Sequence, residues 1–349
     1  MIVLVTGGGG FLGQAIVRRL VARGDTVRTF QRGEYPALAA MNVECIRGDL
    51  TDRDAVGRAV KGCDTEGCDA VIHTAAKAGV WGPLEAYHRA NVLGTRNVID
   101  ACLAAGVRRL VYTSSPSVVF DGRDESGINE SVPYPSRYLA HYPRTKAEAE
   151  RMVLAANGPA LATVALRPHL IWGPGDPHLL PRLVARAKNG KLRLVARQDN
   201  LVDSTYVDNA ALAHELALDA LAPIESGQMS ACAGRAYFIS NGEPLPMAEL
   251  VNKLLAAKGV APIERTISPR AAYAAGAIFE TLYKLLGRRM EPPITRFVAR
   301  QLATAHWFDL SAARRDLAYE PLVSLAQGLQ ILAAENAVYD SGDAPQASR

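Results

Sequence analysis

Two rhythms of apolar and polar positions alternate along roughly the first half of the chain. IVLVT (2–6) is an uncharged, mostly apolar run, which predicts a strand buried on both faces. FLGQAIVRRLVARG (11–24) repeats its apolar positions at helical spacing and closes on glycine. Further strands are predicted at TVRTF (26–30), VECIRGDL (43–50), DAVIHTAA (69–76), RRLVYTSS (108–115) and LATVALRP (161–168). EAYHRANVLGTRNVIDACLAAG (85–106) and RTKAEAERMVLAAN (144–157) read as amphipathic helices. Strand and helix in alternation predict an α/β fold with a doubly wound parallel sheet.

After Pro168 the rhythm breaks. IWGPGDPHLLPR (171–182) reads as a loop leading into a helix, and the elements beyond it look mixed. We therefore expect a nucleotide-binding domain over 1–175 and a smaller substrate lobe over 176–333, with some of the lobe's elements returning to the sheet. Residues 334–349 lack periodic apolar positions and are expected to form a frayed tail. The stretch 271–302 is apolar with basic punctuation. It fits a helix packed on its own lobe, or a surface for a partner or a membrane interface.

Composition narrows the class. The 349 residues are 49% hydrophobic and 21% charged, with a net charge of +4 and the signs well mixed. No basic run with interleaved aromatics argues for nucleic-acid binding. No apolar run of about 18 residues argues for a transmembrane span. Five cysteines (45, 63, 68, 102 and 232) without paired CxxC spacing suggest reduced thiols in a cytoplasmic protein and no metal site.

Chemistry enters at TGGGGFLG (6–13), between the first strand and the first helix. Gly7, Gly10 and Gly13 fit a GxxGxxG frame, and Gly8, Gly10 and Gly13 fit GxGxxG; spacing alone does not choose. In either frame glycine lets the backbone approach a pyrophosphate, which then sits on the helix N-terminus. This is the signature of a Rossmann-like dinucleotide fold. HYPRTKAEAE (141–150) places Tyr142 and Lys146 four residues apart, on one helix face. A free Tyr hydroxyl titrates near about 10, and a neighbouring ammonium lowers that value toward useful acid–base work. At the end of the fifth strand, YTSSPSVVF (112–120) offers Ser114, Ser115 and Ser117 as donors to a reacting oxygen. Ser115 is favoured, and Pro116 directly after it keeps Ser117 as the alternative.

These segments carry a resemblance. TGGGGFLG, GDL (48–50), HTAA (73–76), NVLGTRNV (91–98), TSS, YPRTK and LRPHLIWGPGD (166–176) follow one another over most of the chain. Together they resemble an extended short-chain dehydrogenase/reductase, of the branch with 3β-hydroxysteroid and sterol-4α-carboxylate dehydrogenases. AKAGVWG (76–82), LVDSTYVDNAA (201–211) and YFISNGEPLPM (237–247) are similar to the 2-alkyl-3-oxoalkanoate reductases of bacterial long-chain olefin biosynthesis. The resemblance implies that Tyr142 is the acid/base, Lys146 its partner and ribose anchor, and Ser115 the carbonyl-orienting hydroxyl. It implies that Gly7, Gly10, Phe11, Leu12 and Gly13 line the pyrophosphate and that Asp49 and Leu50 flank the adenine. Ala75, Ala76 and Lys77 then follow the cofactor, Pro168 meets its nicotinamide end, and Asn91 is structural or part of a proton relay. A homodimer, and assembly with a β-lactone synthetase and a β-lactone decarboxylase, are also implied.

The second strand sets the expected cofactor. Its end carries Gln31, where an acid would hold a free ribose 2′-hydroxyl, and then Arg32, whose guanidinium suits a 2′-phosphate. This points to NADP(H), and so to reduction of a long-chain β-keto acid. A sterol dehydrogenase working oxidatively is the alternative. Val80, Trp81, Ser117 and Trp172 are candidates for the substrate channel, though Trp81 and Trp172 fit a core equally well. Lys77, Arg182 and Arg193 are candidates for the carboxylate. His169 and His178 flank the active-site loop and read as packing residues.

Overall fold

The computed structural model describes residues 1–62, 67–195, 200–222 and 230–340, with side chains up to residue 335. Cys63 and residues 341–349 lie outside the described residues.

Seven parallel strands form the main sheet: β1 (Ile2–Thr6), β2 (Thr26–Gln31), β3 (Glu44–Arg47), β4 (Ala70–His73), β5 (Arg109–Thr113), β6 (Ala162–Pro168) and β7 (Arg235–Ile239). Their order across the sheet is β7-β6-β5-β4-β1-β2-β3. The chain winds from β1 out to β3, then returns to β4 and winds the other way. That reversal leaves a crevice beyond the C-terminal ends of β1 and β4, the usual ligand position in such sheets.

The residues of β1 alternate between two cores. Val3 and Val5 face a layer containing the Phe11–Arg23 and Val207–Ala220 helices, and Leu4 faces the Arg53–Lys61 and Gly94–Ala105 helices. Both faces are covered, so the strand reads as an apolar run rather than as an alternating one. Each such fully buried Val or Leu side chain contributes about 1.5–3 kcal/mol.

Several boundaries differ from expectation. Strand β2 runs one residue further and includes Gln31. The helix Arg53–Lys61 was not anticipated; its N-cap Asp52 accepts a hydrogen bond from Ala55 N at 3.0 Å. The helix predicted over 85–106 starts at Leu84, changes to a π-turn over His88–Leu93, and resumes as Gly94–Ala105. The helix predicted from 144 begins at His141, which brings Tyr142 into its first turn.

The C-terminal half is interwoven with the sheet. Strand β7 returns to its edge beside β6. Glu125–Ile128 crosses the other way and pairs with His306–Phe308, in a small sheet with Leu201–Val202 and Leu245–Pro246. The last helix, Leu325–Asp340, continues past residue 334, where the sequence reading expects a tail. Leu325 and Leu332 anchor it in a core with Trp172 and Leu250, and Lys258 pairs with Glu335 at 2.8 Å.

Candidate active site

The glycine loop closes the crevice from below. Gly7 has φ +71°, a left-handed conformation that favours glycine. Gly10 N donates to Gly7 O at 2.9 Å. A Cβ on Gly13 would stand 2.1 Å from Gly7 O, so only glycine lets the helix press onto the loop. Gly7, Gly10 and Gly13 therefore form one mutually supporting set, and Gly8 is required for another reason, its approach to the Thr29 side chain. Gly9, which neither spacing requires, lies under the Tyr35 ring. The Phe11–Arg23 helix opens with no side-chain cap and no acid in its first turn. Its first N–H groups and positive end are left to an anion, and this cradle fits a dinucleotide pyrophosphate.

At the end of β2, Gln31 is 8% exposed, and its Oε1 has no hydrogen-bond partner among the described residues. Arg32 is exposed. Register places Arg47 of β3 opposite Gln31, and Arg47 Nε donates to the Arg32 carbonyl at 3.0 Å. Arg47 also pairs with Glu34 at 3.4 Å. Two guanidinium-bearing residues thus flank a strand end that carries no carboxylate. The sequence reading names Arg32 and does not name Arg47, because only strand register brings the two together. Asp49 accepts from Thr51 N and Oγ1, both at 2.8 Å. The Thr51 backbone bond, with help from Arg32 and Arg89, outweighs burial and holds its carboxyl below the usual range. Leu50 packs against Gly94, and its carbonyl accepts from Asn97 Nδ2 at 2.8 Å.

Residues 74–77 run past the loop, with Ala75 against Gly7. Asn91 fixes this segment. Its Oδ1 accepts from Lys77 N at 2.7 Å, and its Nδ2 donates to Lys77 O at 3.2 Å and to Thr145 Oγ1 at 3.0 Å. Asn91 is 1% exposed and sits in the π-turn; such turns often mark functional sites. It joins the Lys77 loop to the Tyr142 helix.

Tyr142 and Lys146 lie one turn apart on the helix His141–Ala155. Lys146 Nζ donates to Thr113 O at 2.5 Å and stands 4.2 Å from the centre of the Tyr112 ring. Burial pulls its ammonium down to about 7, against the opposing pull of Glu150. Burial pushes the Tyr142 phenol up, and the Ser115 hydroxyl draws it part of the way back. Ser115 and Ser117 share a hydrogen bond of 2.9 Å. Pro116 starts a short 3-10 turn with Ser115 as its cap, and this turn brings the two hydroxyls together. The arrangement offers a proton donor, a cation beside it, and two hydroxyls able to hold a carbonyl oxygen.

Glu150, one turn beyond Lys146, was not anticipated. It is fully buried, and it accepts from Tyr134 Oη at 2.6 Å and from Arg167 Nη2 at 2.7 Å and Nε at 3.0 Å. Its spacing from Lys146 was visible in the sequence, but its partners come from distant segments. Pro168 ends β6, and Leu170 just after it has φ +44°, a strained conformation for a non-glycine residue. His169, between them, is pulled down to about 3 by burial and by His306, so it stays neutral.

The substrate candidates separate. Ser117 is buried beside Ser115. Val80 and Trp81 are half-buried on the loop after β4, where Trp81 Nε1 donates to Arg288 O at 3.2 Å. Trp172 is 0% exposed and donates from Nε1 to Ser204 Oγ at 3.0 Å. It is a core residue, because Tyr206, Leu180 and Leu332 enclose it. Arg182 is held by Glu291 at 3.1 Å, and Arg193 Nη1 donates to Gly190 O and Leu192 O. Lys77 Nζ lies 5.1 Å from the centre of the Tyr87 ring. His178 N donates to Asp176 Oδ1 at 2.8 Å, as part of a loop cap.

The chain is similar to known proteins along almost its whole length. The chain is 57% identical over 339 residues to a 2-alkyl-3-oxoalkanoate reductase of Stenotrophomonas maltophilia, covering 97% of this chain and all of that one. A protein of the same name from Shewanella oneidensis is 51% identical over 95% of this chain and 85% of its own length. The sterol-4-alpha-carboxylate 3-dehydrogenase, decarboxylating, of Mus musculus is 33% identical over 93% of this chain and 88% of its own. Among solved structures, the Thermus thermophilus UDP-glucose 4-epimerase complex with NAD matches with a TM-score of 0.72 at 25% identity, covering 97% and 99% of the two chains. A family profile described as 3-beta hydroxysteroid dehydrogenase/isomerase matches residues 4–270. With a match of that extent, the chain belongs to the 3-beta hydroxysteroid dehydrogenase/isomerase family and is an NAD(P)-dependent oxidoreductase.

Proposed function

We propose that the chain reduces the C3 carbonyl of a long-chain 2-alkyl-3-oxoalkanoate to the 3-hydroxy acid with NADPH, in long-chain olefin biosynthesis. One observation carries the chemistry. Tyr142 and Lys146 stand one turn apart, beside the strand end that presents Ser115 and Ser117. The names of the two relatives above 50% identity support the substrate class. Arg32 and Arg47 at a strand end without an acid support the 2′-phosphate.

A dinucleotide on the glycine loop supplies the hydride. The chain's own residues do the rest. Ser115, with Ser117 behind it, donates to the ketone oxygen and fixes the carbonyl. Tyr142 gives its proton to that oxygen as the alcohol forms. Lys146, pinned by the Thr113 carbonyl, stabilises the phenolate that remains. Asn91 keeps the Lys77 segment and the Tyr142 helix in register. The protein acts in the cytoplasm as a homodimer, paired through the 84–105 helix and the Tyr142 helix. Exposed Leu93 and Leu103 on the first of these support that pairing. It works alongside a β-lactone synthetase, which takes its hydroxy-acid product, and a β-lactone decarboxylase, which takes the resulting lactone.

The test is single-turnover reduction by Tyr142→Phe. A general acid contributes about 10²–10⁴-fold, so the rate should fall by that factor with cofactor affinity kept. A near-normal rate would remove Tyr142 from the role.

A further inference from the structure

The helix Pro269–Leu285 is thinly packed. Of its 17 residues only Ala272 and Gly276 are buried. Ile278, Leu282 and Leu285 follow one another at i, i+4 and i+7, a single face, and are 66%, 45% and 81% exposed. Past Gly287 the chain adds Met290 at 80%, and Leu286 just before the glycine is 56% exposed. Five of the twelve exposed large hydrophobic residues among the described residues thus fall within 13 positions. A cluster of this kind marks a contact surface, whereas single exposed apolar residues mark nothing.

The charges around this tip are sorted by sign. Glu280 turns inward to Arg296, which it meets at 2.7 Å, and Glu291 is held by Arg182 at 3.1 Å. Lys284, Arg288 and Arg289 are exposed and make no ion pair among the described residues. The outward surface is therefore apolar and cationic. Cations at a helix C-terminus have a structural use against the macrodipole, but this does not account for Leu285 and Met290 in water.

The tip is also fixed to the rim of the active site. Trp81, on the loop after Lys77, donates to the Arg288 carbonyl and meets the Tyr283 ring edge-on at 6.3 Å. Lys284 lies close enough to His141, the neighbour of Tyr142, to lower its pKa, after burial and Arg144. The family profile ends at residue 270, as the helix begins.

We propose that the tip formed by Ile278, Leu282, Leu285, Leu286 and Met290, with Lys284, Arg288 and Arg289, docks onto an anionic phospholipid surface. An apolar face with cations beside it is what an interfacial helix presents to acidic headgroups. No helix among the described residues is long and apolar enough to cross a membrane, so the tip lies on the surface. A second copy fits less well, since a two-fold contact sets the same patch against itself and opposes cations to cations. The proposal rests on this surface alone and not on the substrate reading.

The full-length chain should sediment with vesicles of equal parts phosphatidylcholine and phosphatidylglycerol, and weakly with phosphatidylcholine alone. Arg288→Gln/Arg289→Gln should cut binding to the acidic vesicles roughly tenfold or more. Leu285→Ser/Met290→Ser should do the same, with the far-ultraviolet spectrum and the NADPH affinity unchanged. Absence of wild-type binding would overturn the proposal, as would binding that both variants retain. So would wild-type self-association that the serine variant abolishes while neither form binds vesicles, since the patch would then belong to a second copy.

Discussion

Glu150 and Arg167 allow a prediction whose size follows from the structure. Both side chains are almost wholly buried, and they share two hydrogen bonds of 2.7 and 3.0 Å. Burial pushes the Glu150 carboxyl up, but the bond to and charge of Arg167, with the Ser114 and Tyr134 hydroxyls, outweigh it. The carboxyl is therefore ionised, and it is the counter-charge that raises the Lys146 value. Glu150→Gln leaves the Arg167 charge buried without its partner, which costs about 3–5 kcal/mol. With a urea m-value of about 3 kcal/mol/M, the midpoint falls by about 1 M or more. Arg167→Met should cost a similar amount, while Glu150→Gln/Arg167→Met should return close to wild type, because a matched neutral replacement leaves no orphan charge. The same single change, Glu150→Gln, removes a negative neighbour of Lys146. Its value then moves below about 7, and the alkaline limb of kcat moves to lower pH. Equilibrium unfolding and pH–rate profiles of the three variants measure both effects. A single-variant cost under about 1 kcal/mol, or a double-variant cost equal to the sum of the singles, would show that Glu150 and Arg167 do not act as a coupled buried pair.

Other outcomes follow from the same geometry. Lys146 titrates near 7 in the fold against 10.5 when free, so the folded state binds fewer protons between those values. Its contribution therefore makes stability rise as pH increases from about 7 toward 10.5, and Lys146→Met should flatten that rise in unfolding experiments without cofactor. Gly13→Ala drives a Cβ into the Gly7 carbonyl, so NADPH binding followed by fluorescence should be lost while the rest of the sheet keeps its circular dichroism. Arg32→Asp removes a charge-assisted phosphate contact of about 1.5–3 kcal/mol, so the NADPH/NADH ratio of kcat/KM should fall by about 10–100-fold. An unchanged ratio would leave the 2′-phosphate without its proposed partner.

The legible parts of the sequence were those where one local rule decides. Strand β1 agrees at both ends because it is buried on both faces, and the Phe11–Arg23 helix stops at Gly24, which is left-handed at φ 92°. The Tyr142 helix starts earlier than its apolar spacing suggests, since Ala140 at its N-cap carries no capping side chain. The π-turn at His88–Leu93 is invisible to periodicity. Asn91 is placed there by bonds to Lys77 and Thr145, far away along the chain. Trp172 fitted a channel or a core equally well on composition, and Ser204, Tyr206 and Leu332 decide for the core. The spacing of Tyr142 and Lys146 was readable because both lie on one helix. The pairing of Arg47 with Gln31 was not, because parallel register depends on the whole sheet.

The most direct measurement of the central claim is steady-state kinetics on freshly made 2-alkyl-3-oxoalkanoate, with NADPH and with NADH, and the product identified. The expected result is turnover to the 2-alkyl-3-hydroxyalkanoate with a higher kcat/KM for NADPH. No reduction of the keto acid, together with NAD+-dependent oxidation of a sterol carboxylate, would contradict it.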